Sequence, residues 1–532
     1  MKRRLTACMI AAMILMGGCA GMPQPSVEAP PPDTEPDTQT AFVSMESEPV
    51  LSYEVPKSSP HILVDELGYE PGQEKKAYFF GGELPERFFI TELSTGKNVY
   101  EGKLESVRYS DLYQCNIAVG EFHDLTKEGT YRISADLLGN SCDFAIGTDL
   151  YRELFREACR TYYYNRCGMT LTSELAGANA HNACHTGKAV LRRDMTAELD
   201  VTGGWHQDGS GSKDSAAAAK SLINILLSYE VFPGAFTDDT GIPESGNGIP
   251  DILDEARYET EWLLKMQDPS TGGVYSAVTV AENPDRKSTV SYVEDPGEDA
   301  SYAFAAALSK FSFFYQDFDR EFATLCLKAA DRAWKYGVLN AGSASFENAP
   351  ASEWKFPAAA EIYRASASKE CESFLNGYLA EDPFKSEPPD GLPFYGCVTY
   401  LNTKQKVNTK YCGELMRSMM LRAEKISEGS RNAPFGVPAT PEQNNNAELL
   451  NNMMTMTLVD HIITNHEYDT IIEDYLHYFL GRNPMSVVYV DHVGTFSYMD
   501  LNESLGLMKQ FDSDAKLIFM LSRILSKDGF AG

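Results

Sequence analysis

The sequence predicts a mainly α protein, a long array of helical hairpins preceded by a small β-sandwich. From His61 to about Thr148 apolar residues alternate with a period of two, in short runs set apart by glycine and proline. Near Asp149 the period lengthens to three and four residues and stays helical through most of the remaining chain. Several of the helical stripes carry many apolar residues and few charges, as helices packed on more than one side must.

The chain has 532 residues, enough for two or three domains, and its 43% hydrophobic and 23% charged content is that of a globular protein. Its formal charge of −30 would repel nucleic acid and anionic lipid, which excludes both as partners. Such acidity suits a neutral ligand such as a glycan, and it also simply keeps an exported protein soluble.

The elements follow in order. Lys2, Arg3 and Arg4 form a basic start, Ala7 to Met16 a short apolar run, and Gly17-Gly18-Cys19 a small-residue end. A membrane span needs about 20 apolar residues, so this run is a targeting signal. It resembles a bacterial lipoprotein signal over residues 1–19, which implies export to the cell envelope with Cys19 as the lipidated residue; simple secretion is the alternative. Residues 20–58 are rich in proline and acids, as in Pro30-Pro31-Pro32-Asp33 and Glu35-Pro36-Asp37. That composition buries no core and reads as a tether.

The sandwich is expected over residues 59–148. Lys76-Ala77-Tyr78-Phe79-Phe80, Phe88-Phe89-Ile90-Thr91 and Thr130-Tyr131-Arg132-Ile133 are its clearest strands, punctuated at Pro71-Gly72, Gly81-Gly82, Gly96 and Gly129. The helical part is expected over residues 149–532. Its segments are one from Asp149, then Ala216 to Tyr229, Ile249 to Met266, Ser301 to Phe314, Glu321 to Lys335, Ala358 to Ala367, Cys412 to Ser427, Ala447 to Thr464, Ile471 to Phe479 and Ala515 to Leu525. Antiparallel hairpins are the economical arrangement, and periodicity alone does not separate a closed ring from a solenoid. Of the 11 cysteines, Cys8 and Cys19 lie in the signal, and the odd remainder is no disulfide framework. Cys115 and Cys142, both in the β-rich part, are the one candidate pair; Cys326 reads as a buried thiol.

Four stretches carry chemistry. They are Gly203-Gly204-Trp205-His206-Gln207-Asp208-Gly209-Ser210-Gly211-Ser212-Lys213, Ile242-Pro243-Glu244-Ser245-Gly246-Asn247-Gly248-Ile249-Pro250-Asp251, Tyr162 to Gly168 with Ala183-Cys184-His185, and Leu480-Gly481-Arg482-Asn483-Pro484. Together they resemble glycoside hydrolase family 9, the inverting cellulases. Val64-Asp65-Glu66-Leu67-Gly68-Tyr69 resembles the opening of the immunoglobulin-like module that precedes the catalytic domain in one branch. The resemblance implies an (α/α)6 barrel with a substrate cleft across one end. It also implies hydrolysis of β-1,4-glucan or a related plant polysaccharide, with membrane contact through the lipid anchor alone.

Cys167, Cys184, His185 and His206 offer two thiolates and two imidazoles, the ligand types of tetrahedral zinc. Their spacing alone favours scattered core cysteines and surface histidines. The resemblance implies a structural Zn²⁺ on these four positions, with none left open for substrate. Inverting hydrolysis needs a base and an acid about 6.5–9.5 Å apart. The family motif reads Gly-Gly-Trp-His-Asp-Ala-Gly-Asp, and in ungapped register its two aspartates fall on Gln207 and Ser210. Asp208 stands in the alanine position and serves as base only after a one-residue slip. The family's acid falls near Met508, and Glu503 is the nearby glutamate. Asp512 and Asp514 read as residues at the start of the last helix. Trp205 is the candidate sugar platform, while Trp262, Trp334 and Trp354 lie in helical stripes. Glu244, Asn247 and Asp251 suit either Ca²⁺ or the cap of the helix near Pro250. The expected function is therefore family 9 chemistry that is weak, altered or lost, with a non-catalytic glycan-binding or scaffold protein as the alternative.

Overall fold

The computed structural model describes residues 60–207, 209–283, 288–341, 352–439, 446–490 and 507–528. The signal and tether segments, Asp208 and Glu503 lie outside these residues.

The first part is the expected β-sandwich. Its strands are β1 (Ile62–Leu63), β2 (Gly68–Tyr69), β3 (Lys76–Gly81), β4 (Arg87–Glu92), β5 (Lys97–Ser110), β6 (Cys115–Glu121), β7 (Gly129–Ala135) and β8 (Gly139–Ile146). They run in the order β1-β3-β6-β5-β4-β7-β8-β2, with the long β5 pairing with β4 through its first half and with β6 through its second. Alternation sends Phe79, Phe88, Ile90, Tyr131, Ile133 and Phe144 into one buried core. Cys115 and Cys142 do not pair: none of the nine described cysteines forms a disulfide. Cys115 packs in the small cluster around Phe435, while the Cys142 sulfur lies 3.9 Å from the Ser486 hydroxyl.

The second part contains twelve described helices of eleven residues or more. They are α1 (Arg152–Tyr164), α2 (Ser215–Val231), α3 (Asp251–Lys265), α4 (Glu298–Tyr315), α5 (Arg320–Leu339), α6 (Lys355–Ser366), α7 (Lys369–Ala380), α8 (Gly391–Asn402), α9 (Thr409–Asn432), α10 (Asn446–Ile463), α11 (Asp469–Phe479) and α12 (Leu507–Asp528). The even-numbered helices form a ring, in which α2 packs on α4, α4 on α6, α6 on α8, α8 on α10, α10 on α12, and α12 on α2 again. The odd-numbered helices pack outside them, for example α3 on α2, α5 on α4 and α1 on α12. That last contact of the inner ring settles what periodicity could not: the array closes into an (α/α)6 barrel. The inner helices are covered by both the lumen and the outer layer; in α4 every residue from Ala300 to Ser312 is buried.

Four charged side chains inside the barrel pair with one another. Near the end where the inner helices finish, Lys310 of α4 and Arg364 of α6 alternate with Glu230 of α2 and Glu361 of α6. Arg364 reaches Glu230 at 2.6 Å, Lys310 reaches Glu361 at 3.4 Å, and Thr399 of α8 donates to Glu361 at 2.7 Å. The remaining sides are the Lys310–Glu230 and Arg364–Glu361 ion pairs. Each of the four side chains is less than 10% exposed. Alternating signs let each ion compensate its neighbours where water cannot.

Sandwich and barrel share a polar seam. The amide of Glu66 donates to the Leu480 carbonyl at 2.8 Å, and Tyr151 Oη donates to the Gly68 carbonyl at 2.9 Å. Asp65 accepts from the Leu67 and Gly68 amides and lies 2.7 Å from His477 Nδ1. Burial pushes the Asp65 carboxyl up and the His477 imidazole down. Asp474 is gripped by Lys76 at 2.7 Å and by Arg482 at 2.5 Å. Two of the motifs read from sequence, at Val64–Tyr69 and Leu480–Pro484, thus meet each other and organise this seam.

Trp262, Trp334 and Trp354 are buried, as their stripes predict. The last helix begins at Leu507, earlier than the Ala515 expected, so Asp514 sits beyond the first turn, out of reach of the N-terminal dipole.

Candidate metal centre and cleft loop

Backbone pairing brings the four predicted metal ligands together. Just after α1, the chain at Asn165–Cys167 pairs antiparallel with Gly204–His206: the Cys167 amide donates to the Gly204 carbonyl and the His206 amide to the Asn165 carbonyl, each at 2.8 Å. This lays Cys167 beside His206. A second bridge, Leu171 with His181, folds the chain back so that Cys184 and His185 return to the same place.

The four ligand atoms lie within 4.8 Å of one another. Cys184 Sγ is 3.1 Å from His206 Nε2 and 4.0 Å from Cys167 Sγ, and Cys167 Sγ is 3.5 Å from His185 Nδ1. A tetrahedral ion with metal–sulfur bonds of about 2.3 Å and metal–nitrogen bonds of about 2.0 Å requires edges of roughly 3.3–3.8 Å. The donor set therefore fits a metal ion, and all four positions come from the protein. Burial pushes the Cys167 thiol up, with Lys213 pulling it down, so a bound cation would displace a proton there. His185 adopts φ 47°, and Gly211, at φ 88°, packs so closely that a Cβ would stand 2.2 Å from His185 Nε2. Only glycine fits that position.

Beneath the centre lies a buried charged floor. Arg166 bonds Glu244 at 2.9 and 3.0 Å and Glu255 at 2.9 Å. The Trp205 amide donates to Glu259 at 2.7 Å, and its indole Nε1 donates to Glu255 at 3.3 Å. Burial raises the Glu259 carboxyl to about 8, against the opposing pull of Lys213. Lys213 itself donates to the Val201 carbonyl at 3.2 Å and the Gly203 carbonyl at 2.6 Å, closing the loop from below.

The loop then runs to the start of the inner helix α2. Gln207 is buried, and both ends of its amide are taken by one residue: Oε1 accepts from the Asp214 amide at 2.6 Å and Nε2 donates to the Asp214 carbonyl at 3.0 Å. Asp214 in turn caps α2, accepting from the Ala217 amide at 2.8 Å. Ser210 is exposed, its hydroxyl 2.8 Å from that of Ser212.

Residues 151–503 match the family described as glycosyl hydrolase family 9, and residues 57–140 match the cellulase N-terminal Ig-like domain. The chain belongs to glycosyl hydrolase family 9.

Among similar family 9 proteins, the cellodextrinase of Butyrivibrio fibrisolvens is 26% identical, over 81% of this chain and 84% of its own. A xyloglucan-specific endo-β-1,4-glucanase of Bacteroides ovatus is also 26% identical, over 82% and 81%. A metagenome-derived family 9 endoglucanase shares the fold with a TM-score of 0.77 at 24% identity, covering 87% of this chain and 99% of that one.

Within the family 9 frame, the other predicted site residues fall as follows. Trp205 is not a platform: it is 2% exposed and packs against Tyr162 with ring centres 4.6 Å apart and planes tilted by 54°, because its indole fills the space above Glu255. Glu244, Asn247 and Asp251 neither gather around one cation position nor cap the helix. Glu244 is bound to Arg166, Asn247 donates to Asp254, and Asp251 accepts from Thr240 and Ser245. The residue capping α3 is Pro250, which has no side-chain donor or acceptor. These side chains instead shape the loop before α3. Among the described residues the four-residue Cys/His set is the one group of three or more Cys, His, Asp or Glu that could hold a metal. Asp208, Glu503 and the side chain of Met508 lie outside the described residues. The buried Arg166–Glu255–Glu259 floor was missed by sequence reading; the spacing of Glu255 and Glu259, four apart on one helix face, was its only signal.

Proposed function

We propose that this protein is a cell-envelope member of family 9 that engages β-1,4-glucan in its barrel cleft, with hydrolysis weakened or lost. One observation carries this reading. Gln207, which takes the seat of the family's first aspartate, is held by both ends of its amide to the Asp214 backbone. An amide carries no proton-accepting carboxylate, and one so committed cannot turn to a water. Ser210 takes the second seat and likewise has no carboxylate. Losing a general base or acid typically costs about 10²–10⁴ in rate. The closed end of the loop, by contrast, keeps its whole frame.

The substrate class follows from the relatives, whose names span cellodextrin, xyloglucan and endo-β-1,4-glucan chemistry. The metal is a structural Zn²⁺, since two thiolates and two imidazoles in a closed set favour it. Bound there, zinc would supply cross-linking of the loop to the start of the barrel. Cys19 anchors the protein through lipid, and residues 20–58 hold the folded part off the membrane.

The test is paired. Folded, zinc-loaded protein at micromolar concentration is assayed for reducing ends released from soluble β-glucan, and calorimetry measures binding of cello-oligosaccharides. Binding without release supports a glycan-holding protein, and turnover at ordinary enzymatic rates defeats the proposal.

A further inference from the structure

A half-open cavity of about 460 Å³ lies on the flank of the molecule, where the sandwich meets the outer helices of the barrel. Lys76, Tyr78 and Arg108 line it from the sandwich; Arg431, Glu467 and Asp474 line it from the barrel. Cavities of this size at a domain junction are where small ligands settle.

Its charges are not balanced. Asp474 is already matched by Lys76 and Arg482. Among the described residues no carboxylate pairs with Arg108, whose Nη2 donates to the Ala433 carbonyl across the cavity. Arg431 meets the exposed Glu424 at 3.3 Å, a contact worth little in water. Two guanidinium groups thus face one remaining carboxylate, Glu467, in a chain whose formal charge is −30. The backbone is arranged to bring this about. Strand β5 shifts register between Glu105 and Arg108, and Ser106 takes φ 54°. At this bulge Ser106 and Arg108 line the cavity while Val107 and Tyr109 do not, and all four are exposed.

We propose that this cavity binds a small polyhydroxylated anion of the sugar-acid class. The carboxylate sits between Arg108 and Arg431, where planar guanidinium groups match it with paired hydrogen bonds. Hydroxyls of the sugar bond Tyr78 and Glu467. A purely apolar ligand would suit Ile117, Val119 and Ile471, which also line the cavity, but would leave its charged side chains without partners. A neutral sugar leaves the guanidinium groups unmatched. The site is independent of whether the cleft hydrolyses.

Titration of the full folded chain tests it, followed by calorimetry or saturation-transfer NMR. The probes are D-glucuronate, D-glucose, acetate, and a xylo-oligosaccharide bearing one glucuronate. Glucuronate is expected to saturate at millimolar concentration or below, and glucose and acetate to bind at least about ten-fold more weakly. The tighter of free glucuronate and the substituted oligosaccharide names the natural source. Arg108→Ala removes the contact to Ala433 and could disturb the fold. Arg431→Ala, which loses only a surface contact, is therefore the deciding variant. It should weaken glucuronate about ten-fold with an unchanged melting temperature. Glucuronate binding no tighter than glucose or acetate, or unaltered in Arg431→Ala, overturns the proposal.

Discussion

Replacing Lys310 by methionine tests the charged square inside the barrel. Methionine keeps all but the terminal atom of the side chain's length, so the loss is mainly electrostatic rather than a cavity. Glu230 and Glu361 would then share Arg364 alone, in a place where each is less than 10% exposed. Breaking a buried ion pair by removing one partner costs about 3–5 kcal/mol. The carboxyl of Glu230 reports the pull of Lys310 and Arg364 together. It is held down to about 2, from 4.5, by Lys310 and Arg364 against its burial. At 1.36 kcal/mol per unit, such a depression contributes about 3 kcal/mol at neutral pH. Because the folded value is depressed, that stability is fully present above the unfolded value near pH 4.5 and is lost as pH falls toward about 2. Calorimetric melting at pH 7 should place Lys310→Met lower by roughly 3–5 °C. The double variant Lys310→Met/Glu230→Gln, which leaves Arg364 with Glu361, should recover much of the loss. A single variant melting within about 1 °C of the parent would refute the reasoning.

Other consequences are simpler. Chelation, or Cys184→Ser, should remove one metal per chain by elemental analysis and lower the melting temperature, because loss of a structural metal removes folding energy directly. Trp205→Ala should cost about 3–5 kcal/mol in stability, yet leave cello-oligosaccharide affinity per folded molecule unchanged, since the indole is core. Cys19→Ser should move the protein from the membrane fraction to the soluble fraction of its host. A variant that stays on the membrane contradicts the lipid anchor.

Much of the fold was legible because its signals are long. Ten of the twelve large helices carry stripes that show in the chain. The two that escaped, α7 and α8, contain Asn376-Gly377 and Gly391-Leu392-Pro393, which read as breakers. In α8 the proline falls in the first turn, where its missing N–H costs nothing, and Asp390 caps the helix at the Gly391 amide, 2.7 Å away. Ring closure was not legible at all, since it is a contact between α2 and α12, distant in the chain. The metal ligands could be named by resemblance, but the reason they meet is a backbone pairing of residues 165–167 with 204–206 that no spacing rule contains. Trp205 misled because a loop tryptophan beside a catalytic motif reads as a sugar platform; its burial over Glu255 depends on how α3 packs. Glu244, Asn247 and Asp251 misled likewise: each has its own neighbour, and none shares a ligand position.

Single-turnover hydrolysis of a labelled cello-oligosaccharide probes the central idea most directly, with native protein set beside the doubly restored Gln207→Asp/Ser210→Asp form, both zinc-loaded. Native protein should bind the sugar and leave it intact through hours of incubation, with any cleavage confined to the restored form. Cleavage by the native chain at about 1 s⁻¹ or faster, the range of ordinary enzymes, would contradict the account.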